Sequence, residues 1–330
     1  MNVWLAFSSP RICRALGPWL PLILFAGCSG PQSALDPAGS EARIVGSLFW
    51  WMLGAAAVIW AAVMAIAAYA GRQRAQPWSD RKAGRFILIC GALLPTILLA
   101  VLLVFGLRLM PALRAPGEAL RIHVQGEQFW WRVSYEFPDG ARIDSANEVR
   151  LPRGVRTEFV LTAQDVIHSF WIPPLGGKMD MIPGTTNRLV LEPTQSGRFR
   201  GACAEFCGTS HGLMNLEVAV LEPAAFDEWA QQRRTATAPP PHPGQALFLA
   251  HGCNACHTVQ GTPARGRIGP DLTRLSERPS LAAGTLPNDA ASIERFIRDP
   301  ADIKPGARMP SFTHLPPSDS ADIARWLEAL

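Results

Sequence analysis

Two stretches of this chain constrain it more than any others: residues 44–70 and 86–107 contain no charged residue. A helix of about 20 apolar residues crosses the roughly 30 Å hydrocarbon layer of a bilayer with every backbone group satisfied internally. Each stretch is long enough. The segment between them holds Arg72, Arg74, Arg81, Lys82 and Arg85 against a single acid, Asp80, while the outer flanks carry only Arg43 on one side and Arg108 and Arg114 on the other. Basic residues collect on the cytoplasmic side. The expectation is a transmembrane hairpin over 44–110, with helices of about 44–70 and 86–110 and both ends outside the cytoplasm.

The N-terminus supports that orientation independently. Arg11 and Arg14 precede the short apolar run "LGPWLPLILFAG", which stops at Cys28. A charged start, a short apolar run and a small-residue exit read as a secretory signal over residues 1–27. "LFAGC" is similar to a lipobox, which makes Cys28 a candidate for lipidation and the signal one of lipoprotein type. Phe25 is a poor match to that pattern, and a plain signal with an incidental cysteine is the alternative. The formal net charge of +4 over 330 residues excludes the dense basic stripe of a nucleic-acid binder. The expected setting is a bacterial inner membrane, with everything after about residue 110 on the periplasmic face.

Thiols on that side tend to oxidise, so cysteine pairs there are disulfides, metal ligands or cofactor attachments. Of the seven cysteines, Cys13, Cys28 and Cys90 fall in the signal, the lipobox and the second apolar stretch; the others form the pairs Cys203/Cys207 and Cys253/Cys256. Residues 118–232 read mainly as short β-branched or aromatic strands separated by Pro and Gly clusters, the pattern of a sandwich or barrel. "EPAAFDEWAQQRR" reads as a helix closing that unit. Residues 233–243 form a Pro-rich linker, where consecutive prolines favour a stiff extended chain. Residues 244–330 are helix-like, with Ser or Asp caps and apolar spacing near 3.6.

"CNACH", Cys253 to His257, is a C-x-x-C-H heme attachment motif. Two thiols at this spacing bond the two vinyl groups of one heme, and the adjacent His257 turns its imidazole to the iron. A thioredoxin-like pair is the rival, but no βαβ pattern surrounds it. Met309 in "KPGARMPSF" is the candidate sixth ligand, with His314 the rival; Met/His ligation gives a relatively high potential. His251 reads as a solvated helix residue.

The other pair lies in "CAEFCGTSHGLM", Cys203 to Met214. Thiolates, imidazoles and a thioether are soft ligands that suit copper in electron transfer. Cys203, Cys207, His211 and Met214 come from this loop, and His168 in "DVIHSFWIP" is the histidine available from elsewhere. Five side chains, two of them bridging sulfurs, exceed the needs of one copper and fit two. A Cys203–Cys207 disulfide would leave His211 and Met214 unexplained, and a zinc site would leave Met214 spare.

These motifs resemble two known families. "CAEFCGTSHGLM", "HSFWIPPLGGKMDMIPGTTN", "GEQFWWRVSYEF" and the preceding hairpin resemble cytochrome c oxidase subunit II. "GCNACHTV", "GRIGPDL", "FIRDPADIKPGARMP" and the final helix resemble class I cytochrome c. The first resemblance implies a cupredoxin-like β-sandwich or barrel holding a dinuclear CuA centre on His168, Cys203, Cys207, His211 and Met214, with the backbone carbonyl of Glu205 as a further copper ligand. It also implies that the Glu205 carboxylate holds magnesium at the boundary with subunit I. The second implies an all-α domain with one heme c, in which backbone around Pro270 accepts a hydrogen bond from His257. Together they imply an electron-transfer subunit of a respiratory oxidase that reduces oxygen with proton translocation. Implied partners are subunits I and III, membrane lipid, and a donor that is a soluble or membrane cytochrome c or an upstream complex; no nucleic acid is expected. No residue of this chain is expected to act as a general base or nucleophile.

The chain departs from the family where a Trp commonly receives electrons from the donor: it has Phe129, followed by Trp130 and Trp131. Trp130 is the substitute candidate for that role, and Trp131 reads as core. Aligned on Pro95, Leu88 stands where the family often has a Glu at a proton path, so no proton role is assigned. A membrane-tethered copper-delivery or thiol-redox protein is the reading from another class; it requires neither the heme motif nor Met214.

Overall fold

A computed structural model describes residues 29–72, 78–117, 120–235 and 239–330. The signal segment, Cys28 and Arg74 lie outside the described residues. Helices α1 (Ser40–Arg72) and α2 (Asp80–Arg114) are the two apolar stretches, with mean hydropathies of 2.1 and 2.9. Their large apolar side chains are exposed, Trp51 at 76 %. That is the arrangement expected where lipid replaces water as solvent. α2 widens into a π turn at Ile87–Leu93, directly before Pro95. A proline ring clashes with the carbonyl four residues back, and a wider turn relieves the clash.

Both helices run beyond the uncharged stretches because their ends are tied to the next domain. Glu41, in the first turn of α1, is buried; it accepts from the Glu192 N–H at 2.9 Å and pairs with Arg156 at 3.1 Å. Arg156 also donates to the carbonyls of Ala112 and Ala115, at 3.4 and 3.2 Å, where α2 ends. One guanidinium thus holds both outer ends of the hairpin against the sandwich. Its planar fork of five donors makes that possible.

The sandwich contains β1 (Arg121–Glu127), β2 (Trp130–Glu136), β3 (Arg142–Ala146), β4 (Glu148–Pro152), β5 (Thr157–Ala163), β6 (His168–Trp171), β7 (Met179–Met181), β8 (Asn187–Leu191), β9 (Gly197–Cys203) and β10 (Asn215–Leu221). They form two five-stranded sheets, in the orders β3-β2-β1-β5-β8 and β4-β10-β9-β6-β7. The β1–β5 and β4–β10 pairs are parallel, the others antiparallel. Burial alternates along β2, so Trp131, Val133 and Tyr135 point inward while Trp130, Arg132 and Ser134 do not. The period of two in side-chain direction produces this. Trp131 is fully buried against Phe170, with centroids 5.9 Å apart, and is a core residue as its pattern predicts.

Helix α3 (Pro223–Arg234) closes the sandwich, burying Phe226 and Trp229. It runs through Arg234 and so takes up the first two residues of the expected linker. The C-terminal domain has helices α4 (Pro243–Ala250), α5 (Ala290–Arg298), α6 (Pro300–Ile303) and α7 (Pro317–Glu328). Phe248 on α4 meets Trp326 on α7 edge-on at 5.1 Å. Gly244 permits that approach, since a Cβ there would collide with the Asp322 carbonyl.

Candidate functional site

The ends of three strands and one loop bring the expected metal ligands together. β6 supplies His168, which is completely buried; β9 ends on Cys203; the loop supplies Cys207 and His211; Met214 directly precedes β10. The Cys203 and Cys207 sulfurs stand 3.9 Å apart as free thiols, not as a disulfide. His168 Nδ1 lies 3.8 Å from Cys203 Sγ, and His211 Nδ1 lies 3.6 Å from Cys207 Sγ. Met214 Sδ lies 3.9 Å from Cys207 Sγ, and the Glu205 carbonyl oxygen lies 3.2 Å from Cys203 Sγ. Each histidine therefore faces its own sulfur, and the two sulfurs face each other.

The backbone is shaped for this crowding. Gly126 in β1 leaves room for the His168 ring, because a Cβ there would stand 2.8 Å from it. Gly208, which follows Cys207, has φ +130°, and Gln128 Nε2 donates to the Cys207 carbonyl at 2.6 Å. Hydrogen bonding from Cys207, followed by that from His168, holds the Cys203 thiol far below the ordinary thiol range despite its burial. The same pairing pushes Cys207 up. Two sulfurs this close, flanked by two imidazoles and a thioether, make a soft donor set that fits a metal cation.

Asp165 joins the candidate site as a residue that the motifs alone did not reveal. Its Oδ1 lies 2.9 Å from His168 Nε2, and its Oδ2 accepts from the Gln128 N–H at 2.8 Å and from Arg308 at 2.9 Å. Burial opposes its ionisation, but the Gln128 and His168 contacts prevail and hold its pKa down. Such outer carboxylates fix the tautomer and the orientation of a ligating imidazole. The clue in sequence is its place three residues before His168. The Glu205 carboxylate, by contrast, is half exposed and 3.8 Å from Lys178 Nζ.

In the C-terminal domain, Cys253, Cys256, His257 and Met309 all line one cavity of about 940 Å³. His257 Nδ1 lies 2.8 Å from the Pro270 carbonyl, and Gly269 leaves the imidazole its place: a Cβ there would stand 2.6 Å from the ring. Burial lowers the His257 pKa, so the ring is held neutral with Nε2 free to ligate. The residues present fit a heme: a large, mostly apolar cavity lined by two thiols, an imidazole and a thioether. The His314 ring lies tilted beside Phe312, centroids 5.8 Å apart, and does not line the cavity. His251 pairs with Asp319 at 3.0 Å.

Residues of the sandwich line part of this cavity. Trp130 lies on its wall beneath the Arg132 guanidinium, at 4.6 Å. Phe129 is buried between the domains. A Cβ on Gly208 would stand 3.1 Å from its ring, and one on Gly306, in the Met309 loop, 3.0 Å. Thr209 and Ser210 donate to the Pro305 carbonyl at 2.8 and 2.6 Å, and the Asn215 N–H donates to the Ala283 carbonyl at 3.2 Å. The loop carrying Cys207 and the loop carrying Met309 are thus in direct contact.

The fold and its sites define two helices long and apolar enough to cross a membrane, followed by two domains, one with a thiol-rich candidate metal cradle and one with a cavity that fits a heme. Comparison with known proteins agrees. Residues 139–221 match the family described as cytochrome c oxidase subunit II, periplasmic domain, and residues 242–330 match the cytochrome c family. The chain is 32 % identical to cytochrome c oxidase subunit 2 of Alkalihalophilus pseudofirmus, over 97 % of its own length and 98 % of that protein's. It is 30 % identical to the subunit 2 of Bacillus subtilis over 76 % of each chain. Among solved structures, the periplasmic domain of subunit II of cytochrome oxidase from Bradyrhizobium japonicum matches with 30 % identity and a TM-score of 0.33, covering 36 % of this chain and 95 % of that one. The chain belongs to the cytochrome c oxidase subunit II family, as a form that carries its own cytochrome c domain.

Proposed function

We propose that this chain passes single electrons from a heme c in its C-terminal domain to a dinuclear copper centre in its sandwich, and from there to subunit I of a heme-copper oxidase, where oxygen is reduced with proton translocation. The carrying observation is the convergence of His168, Cys203, Cys207, His211 and Met214, with the Glu205 carbonyl, around a sulfur pair 3.9 Å wide. Cys203, Cys207, His168, His211, Met214 and the Glu205 carbonyl would hold the two coppers. Bound, the copper pair and the heme supply reversible one-electron chemistry.

The chain's own residues do the rest. Buried ligands on strand ends resist movement, which keeps the cradle alike in both oxidation states. Cys253 and Cys256 would hold the heme covalently, and His257 and Met309 would ligate its iron. Phe129 fills the gap between the two ligand loops, while Trp130 stands on the cavity wall as the candidate point of electron arrival. Glu205 is the candidate magnesium ligand toward subunit I. Subunit III, a cytochrome c or upstream complex as donor, Cys28 lipidation, and a periplasmic position for both domains complete the reading.

The test is metal and heme analysis of the detergent-solubilised chain, with optical and electron spin resonance spectra. Two coppers and one heme are expected, with spin shared over both coppers. A mononuclear copper or zinc signal would defeat the assignment.

A further inference from the structure

Lys304 follows α6, on the wall of the heme cavity nearest the metal cradle. It is 3 % exposed. Its Nζ donates to the Ala282 carbonyl at 2.8 Å. An ammonium has three donors, and a buried cation needs an opposite charge. Among the described residues it forms no ion pair. Burial depresses its pKa to about 7.

The cavity wall does not supply the missing anion. Glu127 is engaged by Arg132 at 2.7 Å, and Asp144 and Asp271 line the wall without pairing with Lys304. Arg142, Arg267, Arg278 and Arg308 are further cations on the same wall. Cys253, Cys256 and His257 are the groups that would bond the heme itself. An occupant of the cavity can supply an anion there: a heme carries two carboxylates.

We infer that Lys304 is a binding residue for a heme carboxylate, supplying its counter-charge at the end of the cavity that faces the copper loop. This rests on the heme reading above. The carboxylate, paired in this way, stays ionised in both oxidation states, so heme reduction takes up no proton near neutral pH. Without the ammonium, a buried carboxylate is pushed toward its protonated form, and adding an electron to the heme draws a proton in.

The experiment is an optical redox titration of the heme in the full-length, detergent-solubilised chain at several pH values between about 6 and 8, a window centred near neutrality. The unaltered chain should give a flat potential. Lys304→Met should give a potential that falls with pH, toward one proton per electron, a tenfold change per pH unit or about 59 mV. Lys304→Arg should restore the flat profile. A sloping potential in the unaltered chain overturns the proposal. So does a flat one in Lys304→Met with normal heme content, or an effect confined to the copper bands. If Lys304→Met isolates without heme, Lys304→Arg decides: a flat profile supports the proposal and a sloping one overturns it. Absence of heme from the unaltered chain would instead overturn the parent assignment.

Discussion

Replacing Asp165 by asparagine probes the metal cradle without touching a ligand. The carboxylate is 10 % exposed and receives contacts from His168 Nε2 at 2.9 Å, the Gln128 N–H at 2.8 Å and Arg308 at 2.9 Å. The Val166 N–H also donates to it at 2.8 Å, and with His168 Nδ1 turned to the sulfurs, Nε2 carries the proton, so all four neighbours are donors. Asparagine offers one acceptor oxygen and turns an NH2 group toward another donor. At least one charge-assisted bond is lost, worth about 1.5–3 kcal/mol. The corresponding loss of a carboxylate behind a ligating histidine weakens metal binding by roughly 10–100-fold. The two figures agree, since each factor of ten is about 1.4 kcal/mol. Copper retention is measured by competition with a chelator of known affinity, and the hyperfine pattern reports whether His168 has turned. Copper affinity within twofold of the unaltered chain, with an unchanged spectrum, would refute the reasoning.

Further perturbations separate the parts. His211→Ala should abolish the purple copper bands and leave the heme spectrum intact; loss of both would show that the domains depend on each other. Gly126→Ala places a Cβ 2.8 Å from the His168 ring, and should cost about 1–3 kcal/mol in thermal unfolding, as overpacked cores do, with a distorted copper signal. Arg156→Met leaves the buried Glu41 without its cation. It should destabilise the chain in detergent by about 2 kcal/mol, below the full value for a buried pair because Arg156 is partly exposed. The pH response follows from Asp165, whose pKa is lowered in the fold. Its contribution is present above the ordinary carboxylate pKa of about 3.9 and is lost as pH falls through the lower folded value. Acid unfolding curves of the unaltered chain and Asp165→Asn should therefore converge below about pH 4.

The candidate ligands were legible in sequence because their chemistry is peculiar to them. Two thiols four residues apart beside a histidine and a methionine have few uses, and C-x-x-C-H has fewer. The membrane helices were legible from lack of charge, although not their ends: Glu41 extends α1 because Arg156, more than a hundred residues away, neutralises it. Asp165 was not legible, since an acid on a turn is ordinary until the His168 ring is found beside it. Nor was Lys304, because a lysine before Pro305 reads as a surface residue until its burial is seen. Pattern reports what a residue is; these two owe their roles to what the folded chain places around them.

The substitution of Phe129 for tryptophan takes on a different meaning once the domains are seen together. An aromatic that must receive electrons from a passing protein has to be exposed. Phe129 is buried, pressed between the Cys207 and Met309 loops, and Arg308 spans the same boundary to Asp165. A fixed neighbour removes the need for a large exposed ring, and a smaller one lets the glycine-bearing loops approach closely. Arg308 is 58 % exposed, so its pair alone holds the domains weakly. The buried contacts around Phe129 and the Pro305 carbonyl must carry most of the closure. High salt should therefore leave transfer between the two centres almost unchanged, whereas Gly306→Val, which drives a branched side chain into the Phe129 ring, should slow it. Flash-photolysis kinetics measure both, and strong salt dependence in the unaltered chain would show that the domains separate between turnovers.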